Sequence, residues 1–203
     1  AYDRAIRRLG MQMLFPGKFS NVSYYARGPL ENYNDRQTGA FLGRYTTTVW
    51  DMNEYYLCPQ SMGNRQDMRE LVLSDSEGNR IKVESQGQVA FSTLYWSDQQ
   101  LRGFSHNWEL TVNPEVDKRR IYAHFDYMQR GLGSGSCGQL TTSNYIVPTS
   151  GTYGYTLRFT ATQFDDTTVG VKPVANATDA LRVSHSDEQL MVSGAIEAGT
   201  SVA

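Results

Sequence analysis

A chain of 203 residues with 39% hydrophobic residues fits one domain of ordinary to large size, or one domain plus a tail. Its formal charge of −2 argues against a polyanionic partner, because a nucleic-acid-binding face is basic, and no run of 18 apolar residues is present to cross a membrane as a helix. Cys58 and Cys137 set no disulfide framework, and with His106, His124 and His185 they form no metal-ligand spacing, so the reading is two free thiols and no zinc site.

The elements follow a strand-and-turn pattern from the start. Residues 10–15 place Met11, Met13 and Phe15 on one face, and 22–26 are aromatic and β-branched. Further strands are predicted at 43–50, 68–73, 80–84, 89–95, 119–127 and 152–162. In 119–127 the alternation is clean: Ile121, Ala123, Phe125 and Tyr127 face one way, Arg120, Tyr122, His124 and Asp126 the other. Asp75-Ser76-Glu77-Gly78-Asn79 reads as a hairpin turn, and 97–101 as a single helical turn capped by Ser97 or Asp98. Antiparallel strands with turns this frequent predict an all-β two-sheet sandwich with very little helix. The 13 Tyr and 8 Phe supply bulky side chains for its core.

After residue 163 the composition becomes polar and turn-rich, which predicts a linker over 164–179. Residues 180–203 then offer two short alternating runs, Leu181-Arg182-Val183 and Gln189 to Ser193. They read as a tail or as the start of a further small β-module.

The densest charge lies in Arg27-Gly28-Pro29-Leu30-Glu31-Asn32-Tyr33-Asn34-Asp35-Arg36. Gly28-Pro29 breaks the preceding strand, and Arg27, Glu31, Asp35 and Arg36 then share one loop. Charges beside an apolar strand need partners. Two readings follow: an ion-paired structural corner, or a pair of active-site carboxylates. Arg65 and Arg69, near Asp67 and Glu70, read as buried guanidinium anchors of the same corner.

The decapeptide, followed by Gly39, Gly43-Arg44-Tyr45 and Val49-x-Asp51-Met52, resembles the C-terminal domain of large bacterial β-galactosidases, the multidomain family 2 glycoside hydrolases. The likeness continues through Pro59-Gln60, Gly63-Asn64-Arg65, Asp67 and Arg69, then Phe91-Ser92, His106 with Glu109-Leu110, and Asp126-x-x-Gln129-x-Gly131-Leu132-Gly133. It closes with Tyr153, Tyr155, Leu157 and Phe159, so the ordered series covers about residues 8 to 160.

The resemblance implies the large sandwich shared with galactose mutarotases, over 1–163 and shortened at its start. A shortened sandwich would carry an open strand edge, for which self-association is the expected outcome. The resemblance also implies that the catalytic glutamates, and the Mg²⁺ and monovalent cation, belong to other domains, the former to a (β/α)8 barrel. No eightfold strand–helix alternation is present here, so a retaining pair of carboxylates is not expected in this chain. It implies instead that the glycine-rich loop after Gly131 reaches the mouth of that barrel and helps complete a pocket for a β-galactoside. Ser136, Cys137 and Gly138 are its expected substrate-side residues, with Cys137 standing where many relatives carry a Trp. The fragment alone is expected to be inactive.

Two other function classes stay open at this level. A stand-alone carbohydrate-binding sandwich would stack sugar on Trp50, Trp96 or Trp108. An aldose-1-epimerase-like enzyme would need a His–carboxylate pair on one sheet face, and no such pair is evident in the sequence. The tail's likeness to a C-terminal sorting module of secreted proteins implies a periplasmic or exported location, with the cytoplasm as the alternative.

Overall fold

The computed structural model describes residues 6–112, 118–132, 141–162, 181–186 and 189–193. Among the described residues nine strands run in chain order: β1 (Arg8–Pro16), β2 (Asn21–Gly28), β3 (Phe41–Thr48), β4 (Arg65–Ser74), β5 (Arg80–Leu94), β6 (Arg120–Gln129), β7 (Gly154–Thr162), β8 (Leu181–Ser186) and β9 (Gln189–Ser193). Two short helices, α1 (Asp98–Gly103) and α2 (Trp108–Val112), lie between β5 and β6. The predicted all-β antiparallel sandwich is what forms.

Every pairing is antiparallel, and one long strand belongs to both layers. Arg80 to Gln86 of β5 pair with β7, while Ala90 to Leu94 pair with β6. The first layer therefore runs β3-β2-β4-β5-β7-β8-β9, and the second runs from the far end of β5 through β6 to β1. The sequence reading splits β5 into two strands because polar Ser85 to Gln88 interrupt the apolar run. These residues form an irregularity opposite Met68 to Glu70, where the β4–β5 register shifts, and the strand continues through it. The same irregularity explains why Met68 and Leu71, three apart, are both buried, although a strand buries every second residue.

The core fills the space between the layers. Val22, Tyr24 and Ala26 of β2 alternate inward, as do Leu71 and Leu73 of β4, and they meet Ile121, Ala123 and Phe125 of β6. Tyr24 packs edge-on to Phe91 with centroids 5.3 Å apart, and Phe125 packs edge-on to Phe159 at 6.0 Å. Such pairs contribute about 0.5–1.5 kcal/mol each beyond their buried area. The Tyr155 hydroxyl donates to the Phe125 carbonyl at 2.9 Å, which ties β7 to β6 across the core.

Leu181 to Ser184 of β8 pair with Gly154 to Leu157, so both runs of the tail continue the first layer's sheet. The predicted linker at 164–179 lies outside the described residues. α1 begins where the sequence reading put it: Ser97 accepts from Gln100 N–H, and the Gln100 side chain returns a bond to the Ser97 backbone.

The outer face of the second layer carries polar Gln12, Ser92, His124 and Asp126, yet Ser92, His124 and Asp126 are buried. A crown of loops and short helices covers them, made from residues 29–40, 50–64, 97–112 and 141–147. Three of these parts are fastened to the sheet by polar contacts. Asn34 Nδ2 donates to the Gln129 carbonyl at 2.7 Å, Arg8 Nη2 donates to Ser61 Oγ at 2.9 Å, and Asp98 lies 3.5 Å from His124 Nε2.

Candidate functional site

The crown holds Glu31, Asp35 and Arg36, while Arg27, Arg65 and Arg69 lie on the strands beside it, and the structure sorts these charges differently from the sequence reading. Glu31, with a side chain only 3% exposed, is the centre of one group. Arg36 Nη2 donates to its Oε1 at 2.5 Å, and the Tyr56 hydroxyl donates to the same oxygen. The other oxygen accepts from the Gly63 N–H at 2.8 Å and from the Tyr33 hydroxyl at 3.2 Å. Gly63 makes this possible with a φ of +75°, and a Cβ there would sit 2.6 Å from the Met52 carbonyl. Four donors from three parts of the chain converge on one carboxylate.

The remaining charges have separate partners. Arg27 Nε binds Asp67 Oδ2 at 2.5 Å, forty residues away, and its Nη1 donates to the Ala40 carbonyl. Arg65 is buried, with Nε 3.4 Å from the Tyr24 hydroxyl and Nη1 3.3 Å from the Asn64 carbonyl. Arg69 does not fit the expectation of a buried anchor. Period two turns it away from the core, and it is exposed, donating to the Asp67 carbonyl at 2.8 Å above the Tyr25 ring.

Asp35 also parts from the expected corner. It accepts from the Leu132 N–H at 3.0 Å and lies against Gly131, where a Cβ would meet its Oδ2 at 2.5 Å. Gly131 and Leu132 are the first foot of the glycine-rich loop. The Thr141 hydroxyl at the second foot donates to the Gly131 carbonyl at 2.9 Å and accepts from Arg130 Nε at 3.1 Å. The two feet are thus held together. Ser136, Cys137 and Gly138 lie outside the described residues.

Electrostatics follow from burial. The Tyr33 hydroxyl is held well above the usual phenol range by burial, with the Glu31 charge adding to it. Burial also raises Tyr56, again reinforced by Glu31. Both phenols therefore remain hydrogen-bond donors at neutral pH. Burial pushes the Glu54 carboxyl up and the Glu31 charge pushes it further, while Arg65 draws it down. A carboxyl raised by burial near a second carboxyl is the electrostatic pattern of a glycosidase acid and nucleophile. Glu31, however, is sealed from solvent and engaged at both oxygens, so no sugar reaches it.

Two groups escaped the sequence reading. Asn32 is a buried amide that donates from Nδ2 to the Arg27 and Leu30 carbonyls and accepts at Oδ1 from the Gln66 N–H at 2.9 Å. Its own N–H and carbonyl bond the Asn64 carbonyl and amide, which locks the corner to β4. An Asn just after a Gly-Pro break is the signal that could have found it.

The second group is a His–carboxylate pair, which the sequence reading held absent. His124 Nε2 lies 3.5 Å from Asp98 Oδ1 and 3.0 Å from Gln12 Nε2, and the Asp98 carboxyl is drawn down chiefly by its bond to His124. Asp126, on the same face, is wholly buried, and burial pushes its carboxyl up to about 6, against the pull of Arg8 3.0 Å away. The partners sit 26 residues apart, beyond any local motif. Asp98 is partly exposed, with its side chain at 35%, but His124 is 8% exposed, so the imidazole of the pair is closed to a sugar. His106 instead stacks on Trp108 at the surface.

Of the three tryptophans, Trp96 is buried and packs at 5.6 Å against Trp50, whose ring carries Lys118 Nζ 4.5 Å from its centroid. Only Trp108 stands exposed, at 59%. Cys58 is exposed, with a free thiol. Among the described residues, no three His, Cys, Asp or Glu side chains are grouped to hold a metal ion, and no helix is long and apolar enough to cross a membrane.

The family model described as β-galactosidase small chain matches residues 1–159. The chain is 33% identical over 131 residues to a β-galactosidase of Staphylococcus xylosus, covering 64% of this chain and 13% of the relative. It is 30% identical over 149 residues to a β-galactosidase of Priestia megaterium, covering 73% of this chain and 14% of that protein. A β-galactosidase of Lactococcus lactis is 29% identical over 156 residues, covering 76% of this chain and 15% of the relative. The chain therefore spans about a seventh of the length of such relatives, and by the match over 1–159 it belongs to the β-galactosidase small-chain family.

Proposed function

We propose that this chain is a non-catalytic C-terminal domain of a family 2 β-galactosidase with the mutarotase-like sandwich. It helps complete the pocket in which a retaining β-galactoside hydrolase works. The catalytic carboxylates, Mg²⁺ and a monovalent cation are then held by other domains, a (β/α)8 barrel among them. The parent polypeptide acts in the periplasm or outside the cell.

The observation that carries this reading is the division of labour in the loop 27–36. Its Glu31 carboxylate, with the side chain 3% exposed, is spent on four internal donors. Its other carboxylate, Asp35, holds the foot of the glycine-rich loop. Such a frame presents a loop on a rigid base and offers no free acid of its own. Among the described residues an epimerase reading finds a pair in His124, whose imidazole is buried, and Asp98, and another in His106 and Glu109, 3.7 Å apart at the start of α2 and not on a sheet face, which speaks against it.

The test is kinetic. In the whole polypeptide, shortening the loop between Leu132 and Thr141 should raise KM for a nitrophenyl β-galactoside several-fold and leave the melting temperature in place. Unchanged kinetic constants would contradict a role for this domain at the pocket.

A further inference from the structure

The two sides of the molecule differ in what they show to solvent. Across the outer face of the first layer, Arg44, Tyr25, Glu70, Glu84 and Arg158 stand in one cross-strand row. Arg44 binds Glu70 at 2.7 Å, and Lys82 binds Glu70 and Glu84 at 3.2 and 2.9 Å. That is a solvated face. The crown, by contrast, exposes Leu57 at 87%, Tyr55 at 61% and Trp108 at 59%.

These three side chains are one ledge, because the backbone beneath them is shared. Asn107 N–H donates to the Leu57 carbonyl at 3.2 Å, and Asn107 Nδ2 donates to the Tyr55 carbonyl at 3.2 Å. Between Tyr55 and Leu57, Tyr56 turns inward to Glu31, which anchors the segment and aims its neighbours outward. Trp108 lies flat on His106, with centroids 5.9 Å apart and planes 16° apart. The Glu109 carboxylate in turn accepts from the Ser105 and His106 N–H groups. A rigid frame holding Trp, Tyr and Leu in water is the composition of a protein-interface anchor, since little ordering remains to be done on docking.

We infer that the Tyr55–Leu57–Trp108 ledge docks against an apolar surface of the remaining parts of the same β-galactosidase polypeptide. The inference rests on the reading that this chain is one part of such a protein. The occupant follows from two facts. Relatives carry about six-sevenths of their length outside the matched region, as the coverage of 13–15% shows. And the polar groups nearest the ledge are engaged within the chain: Asn107 and one Glu109 oxygen on its backbone, and the exposed His106 ring stacked on Trp108 with its Nδ1 3.7 Å from the other Glu109 oxygen. A saccharide site would keep such groups turned toward the sugar hydroxyls, and Leu57 at 87% exposure offers a sugar nothing to bond.

Hydroxyl-radical footprinting of the whole polypeptide tests this directly, with Leu14 and Phe41, exposed at 52% and 72%, as internal references. The expected result is that Tyr55, Leu57 and Trp108 oxidise several-fold more slowly than those references predict from their exposure. In the Leu57→Asp and Trp108→Asp double variant, neighbouring crown residues should regain reactivity. Oxidation of the ledge at reference-like rates overturns the inference. So does protection that fades on dilution, which marks a second copy, or protection that appears only with added galactose or lactose, which marks a sugar site. Hydrolysis of a β-galactoside by the unaltered polypeptide is scored separately. A protected ledge without hydrolysis sinks the enzymatic reading and spares the docking; hydrolysis with a freely oxidised ledge does the reverse.

Discussion

Glu31→Gln removes one negative charge and half of one acceptor set. The glutamine keeps a single carbonyl oxygen, so its NH₂ must face either the Tyr33 hydroxyl and Gly63 N–H or the Arg36 guanidinium and Tyr56 hydroxyl. The second orientation is cheaper. Tyr56 can turn and accept, and Arg36, whose side chain is 51% exposed, recovers water while keeping its 3.1 Å bond to the Tyr56 hydroxyl. What is lost is a charge-assisted hydrogen bond, about 1.5–3 kcal/mol before allowance for solvent around Arg36. Repulsion between the new NH₂ and the guanidinium works in the opposite direction. A net destabilisation of about 2 kcal/mol follows, or a fall of about 4–8 °C in melting temperature for a domain of this size. Circular dichroism melts of the 203-residue chain and its variant at pH 7 would measure it. Tyr56→Phe, which leaves the guanidinium pair in place, should cost less. A variant melting within a degree of the parent would refute the reasoning, because a sealed carboxylate with four donors cannot be removed at no cost.

The buried Asp126 makes stability depend on pH. Its folded value of about 6 lies above the unfolded 3.8, so the folded state binds its proton more tightly. That contribution is complete below pH 4 and is lost as pH rises through 6, an effect of about 3 kcal/mol at one decade per 1.36 kcal/mol. In urea titrations, Asp126→Asn should flatten the stability–pH curve between 4 and 7; an unchanged slope would count against the assignment. The tryptophans separate in the same kind of experiment. Trp96→Ala should cost about 3–5 kcal/mol as a large-to-small core change, whereas Trp108→Ala should stay within about 0.5 kcal/mol, as surface changes do. Equal losses would mean that Trp108 is packed within this domain.

Strand identity was legible where a face is buried against the core. The alternation of Ile121, Ala123 and Phe125 needs no partner to be read, and β6 spans it. So was the start of α1, because Ser97 and Gln100 form a local reciprocal cap. What could not be read was pairing at long range. Arg27 has Glu31 four residues away in sequence, yet binds Asp67, because the fold of β4 brings Asp67 to it. Asp35 and Glu31 share a loop and point to different partners, one to the glycine-loop foot and one to Arg36. Asp98 and His124 meet only once α1 settles on β6. α2 was missed because Trp108–Val112 is barely more than one turn and carries no apolar period of its own.

Turnover of a chromogenic β-galactoside by this chain alone is the most direct measurement of whether its crowded charges are structural. Hydrolysis no faster than the buffer blank, at high protein concentration and with the strands folded by circular dichroism, is the predicted result. Measurable hydrolysis that vanishes in the Glu31→Gln variant while the fold persists would contradict it.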